Sequence, residues 1–211
     1  MNYCGYLETQ VDHNFASDLD YYRDFSSSYS GVEREPLPQF ARIGLNFDSL
    51  RLGILARDFK VMDSFSNSAY RIAPEITANY GLRVSKMPSI SFSVRSTNFS
   101  HRSPIGVSAV EPEGRRNHYE VILSNPLATK FGLAKFEGGY RYSRYSLDRE
   151  VVLKTGDTRT KQSRGIAFFS LDIKSYFDKE INLLGRKLVQ TLEPRIYYLF
   201  QEYENQRGIP L

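Results

Sequence analysis

The residues that could do covalent chemistry are few: three histidines, one cysteine and a spaced pair of glutamates. His13 and His101 fall in polar stretches, and His118 opens an alternating segment. Neither a Gly-x-Ser-x-Gly turn nor a metal-ligand spacing accompanies them. A hydrolytic site needs a nucleophile held against a histidine and a carboxylate. Glu111 and Glu113 flank Pro112 in a loop with nothing to hold them rigid. The lone Cys4 can form neither an internal disulfide nor a cysteine-rich zinc site, and reads as an inert thiol on a strand. No enzyme activity, metal or cofactor is expected. Tyr140-Arg141-Tyr142-Ser143-Arg144-Tyr145 interleaves rings and cations as single-strand nucleic-acid binders do. In a strand, however, Tyr140 and Tyr142 face away from Arg141, which separates stacking from charge. With 28 Lys+Arg against 24 Asp+Glu, the surplus of +4 is too small to imply nucleic acid. What remains is charge arranged in rows, with Arg42, Arg57, Glu75, Arg83, Arg95, Glu120, Glu137, Arg141, Glu193 and Arg195 as its main members. Arg51, His118, Lys135 and Asp172 fall in the same rows. Both signs are present, so neighbouring rows can pair across strands. An arginine fork also suits phosphate.

Those rows are one half of a period-2 pattern that recurs along the chain, where helical periodicity is scarce. Ala41, Ile43, Leu45 and Phe47 oppose Phe40, Arg42, Gly44 and Asn46. Leu50, Leu52, Ile54 and Ala56 oppose Arg51, Gly53, Leu55 and Arg57, and Ile76, Ala78, Tyr80, Leu82 and Val84 oppose Glu75, Thr77, Asn79, Gly81 and Arg83. The same alternation marks segments around Ile90–Arg95, His118–Ser124, Lys135–Tyr142, Phe168–Ile173 and Gln190–Phe200, and more weakly Tyr3–Val11. The pattern predicts an all-β antiparallel up-and-down meander of about nine strands, each roughly 8–11 residues, the length that crosses a bilayer at barrel tilt. The residues from 1 to 211 read as a single segment.

The links between strands sort by length. Asp48-Ser49, Ser85–Pro88 and Asn125–Lys130 read as short turns, while His13–Pro38, Asp58–Tyr70, Phe99–Asn117 and Arg149–Gln162 read as long polar loops. Tyr176–Lys187 is intermediate, and Pro194 reads as a bulge inside the last strand. Short turns on one side and long loops on the other are the plan of an outer-membrane barrel, whereas a soluble sandwich has no reason to sort its loops. Aromatics near strand ends (Tyr70, Phe99, Tyr119, Phe131, Tyr145, Tyr176, Tyr203) would form an interfacial girdle. The apolar rows would then face lipid and the charged rows a wet lumen. No apolar run comes near the roughly 20 residues of a membrane-spanning helix, which excludes a helical membrane protein but not a barrel, whose apolar residues alternate with polar ones. A complete small barrel acting as a passive pore or adhesin is the alternative. It requires Tyr3–Val11 to pair with Gln190–Phe200.

Several stretches resemble one family, the outer-membrane lipopolysaccharide (LPS) assembly protein LptD, or organic solvent tolerance protein, family. The most specific is Gln190-Thr191-Leu192-Glu193-Pro194-Arg195, followed by Ile196-Tyr197-Tyr198-Leu199, Tyr203-Glu204-Asn205-Gln206 and Ile209-Pro210-Leu211. Asp18-Leu19-Asp20-Tyr21-Tyr22-Arg23-Asp24-Phe25, Tyr70-Arg71-Ile72-Ala73-Pro74-Glu75, Leu123-Ser124-Asn125-Pro126-Leu127 and Arg144-Tyr145-Ser146-Leu147 are similar to further family segments, in the right order. The resemblance implies a piece of a barrel near the 26-strand end of the known range. It implies that the amino-terminal periplasmic jellyroll, the later strands and the family's lateral gate lie outside this segment, and that Cys4 is not one of the family's paired cysteines. It also implies passage of LPS to the outer leaflet of a Gram-negative outer membrane. The partners would be LPS, an LptE-like plug lipoprotein, the periplasmic LPS bridge reached through the amino-terminal domain, and outer-membrane lipids.

Overall fold

A computed structural model describes residues 5–15, 37–60, 70–83, 88–101, 112–152, 158–183 and 186–204. Cys4, Glu111, the Asp18–Phe25 motif and residues 205–211 lie outside them, as do most residues of the long links. The strands are β1 (Tyr6–His13), β2 (Leu37–Asn46), β3 (Leu50–Lys60), β4 (Arg71–Leu82), β5 (Ser89–Ser100) and β6 (Gly114–Thr129). Then follow β7 (Gly132–Val152), β8 (Thr158–Ser175), β9 (Phe177–Leu183), β10 (Arg186–Leu192) and β11 (Arg195–Gln201). Nine of them form one open antiparallel sheet in the order β1-β2-β3-β4-β5-β6-β7-β8-β11. Every pairing in it is between antiparallel strands. The meander expected from the alternation is therefore what forms.

Several link expectations need correction. Asn125–Lys130 is mostly ladder: β6 continues to Thr129, and the turn is Lys130-Phe131 alone. That turn is tied by the Thr129 hydroxyl, which donates to the Gly132 carbonyl (3.2 Å) and accepts from the Phe131 N–H (3.3 Å). Gly132 adopts φ +150°, and a Cβ there would drive into the Lys174 carbonyl of β8. The stretch Arg149–Gln162 is shorter as a loop than its polarity suggests, because β7 runs to Val152 and β8 begins at Thr158.

The largest correction concerns the last strand. Gln190–Phe200 is not continuous but breaks at Glu193-Pro194, and Tyr176–Lys187 is not a loop but most of a hairpin of β9 and β10. Pro194 is thus a strand break and not a bulge. It offers no N–H to a ladder, though its carbonyl accepts from the Ser175 N–H (3.1 Å). The register survives the break: Leu192 faces Phe177, and three residues on Arg195 faces Lys174. The two-stranded unit is therefore a continuation of the β8–β11 ribbon beyond the short-turn end of the sheet. Seven residues per strand extend it by roughly 23 Å. Among the described residues no third strand pairs with it.

β1 and β11 stand at opposite edges and do not pair with each other. Among the described residues the closure that the small-pore alternative requires is absent.

Because paired residues share a face, the register assigns both faces. On one lie Leu7/Leu45/Leu52/Ala78/Val94/Tyr119/Tyr142, with the parallel row through Ile43, Ile54 and Ile76 beside it. On the other lie Arg42, Arg51, Glu75, Arg95, Glu120, Arg141 and Asp172. The apolar face is the open one, with Ile54 52% and Ile76 50% exposed. The most buried side chains, Thr97 (2%), Ser143 (4%), Ile166 (6%) and Phe168 (8%), all lie on the charged face. Side chains crowd on the inner side of a curled sheet and spread on its outer side. The charged face is thus the inner one, the reverse of a soluble core.

Candidate functional site

The candidate site is this inner, charged face, and cross-strand chemistry organises it. The Glu75 carboxylate accepts the Thr97 hydroxyl (2.9 Å) and stands 4.0 Å from Arg95 Nε, tying β4 to β5. Arg141 Nε donates to Glu120 Oε1 (2.5 Å), tying β7 to β6, while its guanidinium lies 4.1 Å from the Phe168 ring centre on β8. Gly139 makes room for that ring, since a Cβ there would stand 2.7 Å from it and drive into the Val121 carbonyl. Arg195 forks onto both oxygens of Asp172 (2.8 and 2.9 Å), tying β11 to β8. Lys135 and Glu137, two residues apart on β7, form a further ion pair. The partners are partly exposed, so each such pair adds little to stability. Their repetition along the sheet sets register more than it adds stability.

Of the ten residues singled out from the sequence, Arg42, Arg57, Glu75, Arg95, Glu120, Glu137, Arg141 and Arg195 lie on this face. Arg83 does not sit in a strand, because the β4–β5 ladder ends at the Leu82/Ile90 pair. Glu193 lies in the break before Pro194. Six of the ten are drawn together in ion pairs on the face: Glu75 with Arg95, Glu120 with Arg141, Arg195 with Asp172, and Glu137 with Lys135. Towards the short turns a polar hollow of about 790 Å³ is lined by Arg51, Arg83, Arg95, Asn79, Ser91 and Ser93, among others.

At the other end of the face Phe99 and Tyr145 keep the inward phase of Arg95 and Arg141, while Ile72 departs from the alternation of its strand. A bulge at Ala73-Pro74 shifts β4 by one residue against β5, so that Ile72 pairs with Phe99 on the inner side. There Tyr70, Phe99, Tyr145 and Leu147 line an apolar hollow of about 260 Å³, with the Tyr70 and Phe99 rings edge to face at 6.1 Å. Phe99 and Tyr145 therefore point inward and belong to no lipid-facing girdle, and Tyr119 lies on the outer face within β6. The only sequence signal for the inversion was Pro74 inside an otherwise regular strand.

His118 Nδ1 lies 2.8 Å from the Ser143 hydroxyl. Ser143 is nearly buried, so this is a tie between β6 and β7 and not a nucleophile open to substrate. Among the described residues no group of three His, Cys, Asp or Glu side chains is placed to hold a metal.

An antiparallel meander, open-edged, apolar outside and charged inside, defines the class: this chain is a stretch of β-barrel wall. Within that class it belongs to the family described as LptD: LPS transport system D, whose sequence profile matches residues 2–211. It is similar to the LPS-assembly protein LptD of Pseudomonas putida, with 26% identity across 97% of this chain and 26% of that protein. It is likewise similar to the proteins of that name from Haemophilus ducreyi (28% identity; 94% of this chain, 25% of that protein) and Nitrosospira multiformis (28%; 97% and 22%). The chain spans about a quarter of the length of the curated relatives it matches.

Proposed function

We propose that this chain forms part of the wall of an outer-membrane barrel that delivers LPS to the outer leaflet of a Gram-negative bacterium. Its work is transport and assembly rather than catalysis. The observation that carries the reading is the inside-out sheet: Ile54 and Ile76 exposed, Thr97 and Phe168 buried on the charged side. Such a surface is stable only where hydrocarbon, not water, covers the apolar rows.

In this reading residues 1–211 are one barrel segment. The full protein supplies an amino-terminal periplasmic jellyroll, through which the LPS bridge docks, and the remaining strands. Arg42, Arg57, Glu75, Arg95, Glu120, Glu137, Arg141 and Arg195 line the lumen, with Arg83 and Glu193 at its short-turn rim. An LptE-like plug lipoprotein packs against that wall. The paired charges keep it rigid, and the arginines offer forks to phosphorylated sugars in transit.

The test is depletion of the full-length protein in its own host, followed by labelling of LPS from outside the cell. Surface LPS is expected to fall on depletion and to recover with the wild-type protein but not with an Ile54→Arg/Ile76→Arg variant, which cannot face lipid. Undiminished surface LPS after depletion overturns the reading.

A further inference from the structure

The outer face changes composition sharply at its long-loop end, on strands β6, β7 and β8. The last apolar row there contains Val94, Tyr119 and Tyr142, with the two tyrosine rings 6.2 Å apart. One row higher stand Ser96, Asn117, Arg144 and Ser163, and above them Asn98, Arg115, Ser146 and Lys161. Arg115, Arg144 and Lys161 are exposed. No carboxylate among the described residues pairs with any of the three, in contrast to Arg71 on the same face, which lies 3.7 Å from Asp58. Arg115 and Lys161 both face Ser146 across adjacent ladders, and Arg144 is two residues along the same strand. The three cations therefore occupy one patch about 10 Å across.

The order of layers is that of a lipid interface: hydrocarbon-facing aliphatics, then tyrosines, then cations with serines and asparagines. We propose that Arg115, Arg144 and Lys161 form a docking site on the outer surface of the barrel for a phosphorylated glycolipid headgroup of the leaflet on the long-loop side. The site is separate from the lumen. Cations spread over three strands suit two phosphates held apart on one headgroup better than a single phosphodiester, and the interspersed amides and hydroxyls suit sugar hydroxyls. Glu113 and Asp148 lie further toward the loops, joined through backbone by the Asp148 N–H to Glu113 carbonyl bond (3.0 Å). The Glu113 carboxylate accepts the His101 N–H (2.6 Å) and lines the inner hollow beside Tyr70 and Phe99. The proposal rests on the apolar face meeting lipid.

The test uses the full-length protein reconstituted in phosphatidylcholine bilayers. These are doped with a bisphosphorylated glucosamine-disaccharide lipid, with its dephosphorylated form, or with phosphatidylglycerol, and the lipids retained on extraction are quantified. Wild type is expected to enrich the bisphosphorylated lipid over both others. Each surface cation contributes about fivefold, so Arg115→Ser/Arg144→Ser/Lys161→Ser should lose at least tenfold of that enrichment. An Arg115→Lys/Arg144→Lys variant should keep most of it, and Lys130→Ser at the opposite end should change nothing. Unchanged enrichment in the triple variant, or equal enrichment of phosphatidylglycerol, overturns the site. Failure of wild type to insert at all would instead overturn the lipid-facing reading beneath it.

Discussion

At the scale of single residues, the inner face shows which contacts hold one strand to the next. Arg141 spans three strands, bonding Glu120 on β6 and covering Phe168 on β8. Both partners are partly exposed, so the ion pair contributes about 0.5–1 kcal/mol, and the ring contact about as much again. We expect Arg141→Ala to destabilise the barrel by about 1–2 kcal/mol and Glu120→Gln by well under 1, read as a shift in urea midpoint of the refolded full-length protein. Equal losses would show that the ring contact contributes nothing. Glycines one position apart give a sharper contrast. A Cβ on Gly139 meets the Phe168 ring at 2.7 Å, whereas one on Gly138 meets nothing nearer than 3.8 Å. Gly139→Ala should therefore cost about 1–3 kcal/mol as overpacking, and Gly138→Ala little, in the same unfolding measurement. Neither glycine's role was legible in the sequence: Gly138 and Gly139 are adjacent and identical, and only the register says which one lies under the ring.

At the scale of strands, alternation carried far but stopped at prolines. The faces of β2 through β8 follow from period 2 alone, because a one-residue slip would turn every apolar row inward. The reading failed where a strand keeps its alternation but breaks its ladder. At Ala73-Pro74 a bulge turned Ile72 inward to face Phe99, and at Pro194 the last strand divided. The β9–β10 hairpin was hidden as well, since Asp178-Lys179-Glu180 and Arg186-Lys187 resemble a polar loop in composition. Pairing, not composition, makes it a ribbon. A two-stranded ribbon without a third strand is marginal in water. Amides of Phe177–Leu183 and Arg186–Leu192 are accordingly expected to exchange with deuterium well before those of Phe168–Lys174, which are paired on both sides by β7 and β11. Equal protection would mean that something outside this chain covers the hairpin in the full protein.

At the scale of the whole molecule, two properties follow from one geometry. The sheet ends in two unpaired edges, β1 and β11, and its broad apolar face is open. Both are tolerable only within a closed ring of strands in lipid. The 211-residue chain expressed alone should therefore aggregate or remain polydisperse in detergent. A sharp monomeric peak with heat-modifiable migration would show that the segment closes on itself, against the separation of β1 from β11. In the full-length protein the same geometry predicts a labelling pattern that composition cannot mimic. Single cysteines along β4 at Ile76, Thr77, Ala78 and Asn79 alternate between the outer and inner faces. With the barrel in native membranes, a small water-soluble maleimide that enters the lumen should label Thr77→Cys and Asn79→Cys, while Ile76→Cys and Ala78→Cys resist it and react with a lipid-soluble reagent. The opposite phase would place water on the apolar rows. At about 25 cal/mol per Å² of apolar surface, a face bearing Ile43, Ile54, Ile76, Phe92 and Leu123 could not remain in water without collapsing onto a partner.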